Sequence, residues 1–224
     1  MSKRNGQSLA QSRRDALMET VGRRGRKTAN IWLLKEPLTG KDVVVVGDLR
    51  MEHFFATEGD PEVANVVYDP QPVEVADQSV QFDAVVDFQD GHRECRNVRR
   101  TAAGDVSEET SSTTLAAQRL GARHVVVTTR ELDAHRQRVQ NWQRALAALN
   151  RCRHRPLELL EFEILTHMGP GGATTIGDLC QALVQDPALL VAATVRLVRK
   201  RALSSDMDHK PWSRSTRIAR EHAA

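Results

Sequence analysis

Aromatic residues are scarce: five Phe, three Trp and one Tyr among 224 residues. The core must therefore be aliphatic, and a nucleic-acid surface built on stacked aromatic platforms has little to work with. Cysteine is scarce too. Cys95, Cys152 and Cys180 stand far apart with no C-x-x-C pair, which argues against a zinc site and implies no disulfide framework. No apolar run approaches the roughly 18 residues of a membrane span. The N-terminus lacks the apolar segment of a secretory signal. No glycine-rich loop of the phosphate-cradling type is present. These absences together predict a cytoplasmic protein with an aliphatic core and no nucleotide cofactor.

What is abundant is charge, at 27 % of residues, with a net charge of +3. The excess sits at the ends. The first 27 residues carry eight Lys or Arg against Asp15 and Glu19, and the stretch from Arg196 to the end carries eight against three acids. A polyanionic partner fits both ends. Residues 1–30 read as a basic disordered arm.

Between them the patterning alternates. Val43–Val46 is a β-branched strand, and Asp48 is placed to cap a helix from Leu49 to about Thr57 with Phe54 and Phe55 inward. Val66–Tyr68, Val73–Val75 and Val80–Phe88 read as strands, and Asp90-Gly91 as a hairpin returning through Glu94–Arg100. Its alternation sets Cys95, Asn97 and Arg99 on one face. Residues 101–111 form a loop, Thr113–Leu120 a helix, His124–Thr128 a strand and Gln137–Leu149 a helix. This is an α/β pattern with a mixed sheet over residues 31–150. The basic, Pro-terminated run Arg151–Pro156 marks a domain boundary. Beyond it come a helix over Leu157–Met168, a second opened by a Thr175-x-x-Asp178 capping box, and a third opened by Asp186-Pro187. Two short strands, Leu203–Met207 and Ser213–Ile218, follow with Asp208–Trp212 as the tip. Three helices and a hairpin over residues 151–224 give a winged-helix pattern.

Metal-dependent DNA cleavage needs acids converging on Mg²⁺ and a cation beside them. A hairpin commonly supplies them, with an Asp on one strand and an acid-x-Lys pair on the next. The frame is here as Asp83, Asp90-Gly91 and Asn97-x-Arg99. The run Glu58-Gly59-Asp60-Pro61-Glu62-Val63, then Gln71-Pro72, Phe82-Asp83 and Asp90-Gly91, resembles the TnsA-type transposon endonucleases. Gly121–Thr129, Asn141-Trp142 and the C-terminal winged helix extend the likeness over roughly residues 38–224. The resemblance implies a restriction-endonuclease-like α/β fold, a PD-(D/E)xK site, Mg²⁺ as cofactor and transposon-end DNA as substrate. It also implies a DDE transposase and an AAA+ regulator as partners, in a prokaryotic cytosol. The site departs from the family. Asp83 is kept, with Phe82 in place of the usual Pro. The helix Glu falls at Arg50, the second acid at Asn97 and the Lys at Arg99. A cation at Arg50 opposes Mg²⁺ by roughly 4 kcal/mol per unit charge at close range and an effective dielectric of about 20. The expectation is an impaired nuclease that retains DNA and partner binding.

Two alternatives stay open. Glu52, with Asp83 and Asp87 on one strand face, makes a shifted acidic set for an active nuclease. A winged-helix transcriptional regulator with an α/β ligand or dimerisation domain is the other. For DNA contact the candidates are Arg196, Arg199, Lys200 and Arg201 at the end of the third helix, with Lys210 and Arg214 near the wing. His53, His92 and His124 lack metal spacing and read as structural.

Overall fold

A computed structural model describes residues 29–100 and 111–220. The expected basic arm lies almost wholly outside the described residues, as does nearly all of the expected 101–111 loop. Within them the chain is mixed α/β, with several separate sheets and seven helices.

An antiparallel hairpin comes first, β1 (Ile31–Lys35) on β2 (Asp42–Val46), in register from Ile31↔Val46 to Lys35↔Asp42. Only β2 is legible from its valines. Gly47 follows at φ 98°, a conformation that a side chain disfavours, and is itself the N-cap of α1 (Asp48–Glu58). Asp48 is therefore not the cap. It is the first helical residue, and its carboxylate accepts from Asn30 Nδ2 at 2.9 Å and Trp32 Nε1 at 3.0 Å.

The central sheet has the order β3-β6-β7-β8: β3 (Val63–Tyr68), β6 (Ala84–Phe88), β7 (Arg93–Arg99) and β8 (Arg123–Thr128). The first three pair antiparallel and β8 runs parallel to β7, with α2 (Ser111–Arg119) in the connection. The Val80–Phe88 run is broken. Its start closes a small hairpin, β4 (Val73–Val75) on β5 (Gln78–Val80), and Gln81 Nε2 then donates to Pro70 O at 2.6 Å and holds the chain out of strand geometry.

Both faces of this sheet are covered. Cys95 packs with Phe82, Ala116 and Ala117 on the α2 side, while Val98 joins Phe54, Phe55 and Trp142 on the other. Trp142 lies on α4 (Arg136–Arg151), which follows a short α3 (Thr129–Ala134) opened by a Thr128/Glu131 capping box.

The remaining elements run helix–strand–helix–helix–strand–strand: α5 (Glu158–Met168), β9 (Ala173–Thr175), α6 (Ile176–Ala182), α7 (Pro187–Arg199), β10 (Ser204–Ser205) and β11 (Arg217–Ala219). Their sheet has the order β10-β11-β9. Thr175 caps α6 and Asp186 caps α7, each at the expected position. The two expected wing strands shrink to β10 and β11 because the connection between them is tied down elsewhere. Asn141 of α4 donates to Met207 O and to Lys210 O at 2.7 Å, and accepts from Trp212 N at 2.8 Å.

The apolar core does not stop at the Arg151–Pro156 run. One cluster joins Phe54, Trp142 and Leu146 to Leu157, Leu190 and Ile218. Helix α7 is covered on several sides, with Leu190, Ala192 and Ala193 at 0 % exposure, and it packs chiefly on α4.

Candidate functional site

Three side chains spread over fifty residues of sequence, those of Arg50, Asp83 and Arg99, meet at the central sheet, and Asn97 lies beside them on the same strand as Arg99. Arg50 comes from the first turn of α1, Asp83 from the entry to β6, and Asn97 and Arg99 from β7. Asp83 is 5 % exposed and is the hub. Its Oδ1 accepts from Arg50 Nε at 2.6 Å. Its Oδ2 accepts from the Val98 backbone N–H at 2.6 Å and from an Arg99 terminal nitrogen at 3.4 Å. Arg50 also donates to Val46 O at 3.0 Å, and Arg99 to Val98 O at 3.1 Å.

Asn97 is interior, at 5 % exposure, and not a surface strand residue. Its amide nitrogen donates to Gln81 O at 3.0 Å and its oxygen lies 3.0 Å from His124 Nε2. Both ends of the amide are in use, because β7 is covered on both faces. A third buried group is His53, 3 % exposed and 3.2 Å from Thr57 Oγ1. Burial, reinforced by the positive charge of Arg96, lowers its pKa to about 3, so it is neutral. Arg50, His53, Tyr68, Asp69 and Asp83 line a cavity of about 20 Å³, room for little more than one water molecule.

The shifted acidic set does not assemble. Asp87 shares strand parity with Asp83, but four residues of extended chain separate them by about 13 Å, too far to share one ion. Asp87 instead accepts from Arg93 Nε at 2.5 Å and Asn65 Nδ2 at 3.3 Å, and the Arg93 bond holds its carboxyl below the ordinary range. Glu52 sits two residues beyond Arg50, about 200° around the helix, and its charge acts on Arg136. Among the described residues no group of three or more His, Cys, Asp or Glu side chains is placed to hold a metal. Mg²⁺ therefore does not fit the described residues around Asp83. The retained carboxylate has both oxygens engaged, and a guanidinium stands against it where an ion would have to sit.

Of the basic residues expected at the end of the third helix, Arg199 is buried and Arg196 half-buried, while Lys200 and Arg201 are exposed. Arg199 is 7 % exposed; its Nε donates to Glu58 Oε2 at 2.9 Å and its terminal nitrogen to Val63 O at 3.3 Å. It forms a core ion pair on a helix covered on several sides, which leaves its guanidinium closed to solvent. Arg196 donates to Glu158 Oε1 at 2.7 Å and Lys200 to Glu161 Oε2 at 2.7 Å. Lys210 pairs with Asp206 at 2.9 Å and keeps a largely exposed side chain. Arg201 and Arg214 are exposed.

Glu58, read from the sequence only as the head of the resemblance run, and Arg138, which the sequence did not single out, organise the junction. Glu58, 1 % exposed, receives Arg199 and also accepts from Tyr68 Oη at 2.9 Å. Burial pushes its carboxyl pKa up, against the pull of Arg199. Arg138 bridges to Asp208 at 2.7 Å and lies 3.5 Å from Asp60. Glu58, Asp60, Trp142, Arg199 and Asp208 line a cleft of about 350 Å³ between the two halves. The one available signal was an acid, Glu58, at the end of an apolar helix stretch, directly before Gly59-Asp60-Pro61.

No protein-family model matches the chain, and no curated protein matches it.

Proposed function

We propose that the chain is a TnsA-like subunit of a heteromeric transposase acting on transposon-end DNA. In this reading it has a restriction-endonuclease-like domain whose nuclease site is degenerate, joined to a winged helix. The observation that carries the reading is the convergence at Asp83. Arg50, Asp83, Asn97 and Arg99 are the positions that the TnsA resemblance marks, and contacts of 2.6 and 3.4 Å bring Arg50 and Arg99 onto Asp83. Nothing in the sequence spacing requires that meeting.

The C-terminal topology supports the winged-helix part, through the helix–strand–helix–helix–strand–strand order and the β10-β11-β9 sheet. Its third helix is committed to the core. DNA contact therefore falls to exposed cations elsewhere, with Arg201, Lys210 and Arg214 on this side. The winged unit's other work is to meet the DDE transposase and the AAA+ regulator. A transcriptional regulator reading bases with α7 is disfavoured by the same burial.

The test uses the full chain with a labelled linear duplex and a supercoiled plasmid, in Mg²⁺ and in Mn²⁺. The expected outcome is a rise in fluorescence anisotropy with no nicking. Nicking by the wild type that disappears in Asp83→Ala would overturn the degenerate site. Absence of any duplex binding would overturn the DNA role.

A further inference from the structure

We propose that the Arg50–Asp83–Arg99 cluster is a metal-independent site for a phosphate group of the DNA backbone, with a resident guanidinium doing the work of an ion. The inference rests on the reading above that the chain engages DNA.

The first argument is charge. One carboxylate and two guanidiniums sum to +1, so Asp83 neutralises only half of the positive charge held on it. A nuclease centre attracts the phosphate with a cation held by acids. Here a surplus of the same sign is built from side chains alone.

The second argument is donor capacity. A guanidinium carries five N–H donors. Among the described residues Arg50 uses one on Asp83 and one on Val46 O, and Arg99 makes its two bonds through a single terminal nitrogen. The remaining donors of Arg99 lie on a side chain that is 47 % exposed, while Asp83 is 2 % exposed. The anion is inside and the fork faces out, which suits bidentate recognition of a phosphate.

The third argument is preorganisation. Asp83 is fixed by the Val98 backbone N–H, so the arginines it holds are positioned before any ligand arrives. Among the described residues the nearby carboxylates do not undo this. Asp48 is engaged by Asn30 and Trp32. Asp69 lines the inner cavity, whose roughly 20 Å³ is too small for a phosphate, so the ligand meets Arg99 from the solvent side. Arg100 is exposed beside it.

The test measures affinity of the full chain for a labelled duplex by anisotropy, across a salt series, in EDTA and then in Mg²⁺. Arg99→Ala is compared with Arg144→Ala, which removes an exposed charge on α4. Thermal melts establish that each variant is folded. Wild-type binding is expected to be equal in EDTA and Mg²⁺. Arg99→Ala should weaken it about ten-fold, the scale of one charge-assisted hydrogen-bonded contact, and lower the log–log salt slope by about one. Arg144→Ala should stay within about two-fold. If Arg99→Ala behaves like Arg144→Ala while the wild type binds, the site is wrong and the DNA role stands. If binding requires Mg²⁺, the resident-cation idea is wrong. If the wild type binds no duplex in either buffer, the underlying DNA reading fails and this site with it.

Discussion

Replacing Arg199 with Met removes one half of an ion pair while keeping much of its side-chain volume. Glu58 and Arg199 have side chains 1 % and 6 % exposed, and they meet at 2.9 Å. Without Arg199, a carboxylate stays buried with only Tyr68 Oη donating to it. Breaking a buried pair from one side costs about 3–5 kcal/mol. In a chain of this size that lowers the melting temperature on the order of 10 °C. Removing both charges, as in Glu58→Gln/Arg199→Met, should recover most of the loss, because the cost lies in the orphaned charge. The pH dependence gives a further check. Burial already raises the Glu58 pKa above its ordinary 4.5, and losing Arg199 raises it further. A carboxyl with a raised folded-state pKa binds its proton more tightly folded than unfolded, so stability falls as pH rises above the unfolded value. The penalty of Arg199→Met is thus larger at pH 8 than at pH 5, because more of Glu58 is protonated at the lower pH. Urea denaturation of the three proteins at both pH values measures this. An Arg199→Met penalty that is absent, or constant with pH, refutes the reasoning.

Gly59→Ala would place a Cβ 2.2 Å from Trp142 Cδ1, and with φ at −85° the whole effect is steric. A loss of roughly 2 kcal/mol or more with altered Trp emission is expected, and an unchanged melt would show that α4 can yield. Asn141→Ala orphans the three backbone groups of the β10–β11 connection that Asn141 binds, with an expected loss of about 2–4 kcal/mol. Limited proteolysis should then cut within residues 207–213, and an uncut connection would count against the tether. His53 has a folded pKa lowered from 6.5 to about 3, so folding disfavours its proton and stability falls as pH drops below 6.5. His53→Gln should flatten the acid limb by up to about 1.4 kcal/mol per pH unit, and superimposable limbs would refute it.

Local signals were legible where a local interaction settles the conformation. The valines of β2, the Asp90-Gly91 turn, the Thr175-x-x-Asp178 box and Asp186-Pro187 all act within a few residues. The convergence of Arg50, Asn97 and Arg99 near Asp83 was legible only through the resemblance, since no periodicity joins positions 50 and 83. Strand parity misled for Asp87, because sharing a face says nothing of the distance along it. Arg199 misled for a related reason. A cation in the last turn of an amphipathic helix ordinarily favours the helix dipole and solvent. The acid that draws it inward is 141 residues earlier in the sequence. Wing length failed likewise, since the connection's partners lie on α4.

Helix α1 joins the two centres, and although Asp48 in its first turn suits the helix dipole, the two charges it presents to those centres oppose it. Near its N-terminus, where acids are favoured, it presents Arg50 to Asp83; at its C-terminal end, where cations are favoured, it presents Glu58 to Arg199. Neither choice helps the helix in isolation. Both are explained by the partner across the gap, a buried carboxylate of the sheet at one end and a buried guanidinium of α7 at the other. Eight residues of helix place the two pairs about 12 Å apart on one rigid rod. The orientation of Arg50 over Asp83 therefore depends on how α1 is seated. That seating is fixed at its far end by the C-terminal unit. A substitution that unseats Arg199 should disturb the Arg50–Asp83 contact as well, through the seating of α1 and through Tyr68, which donates to Glu58 and lines the cavity beside Arg50 and Asp83.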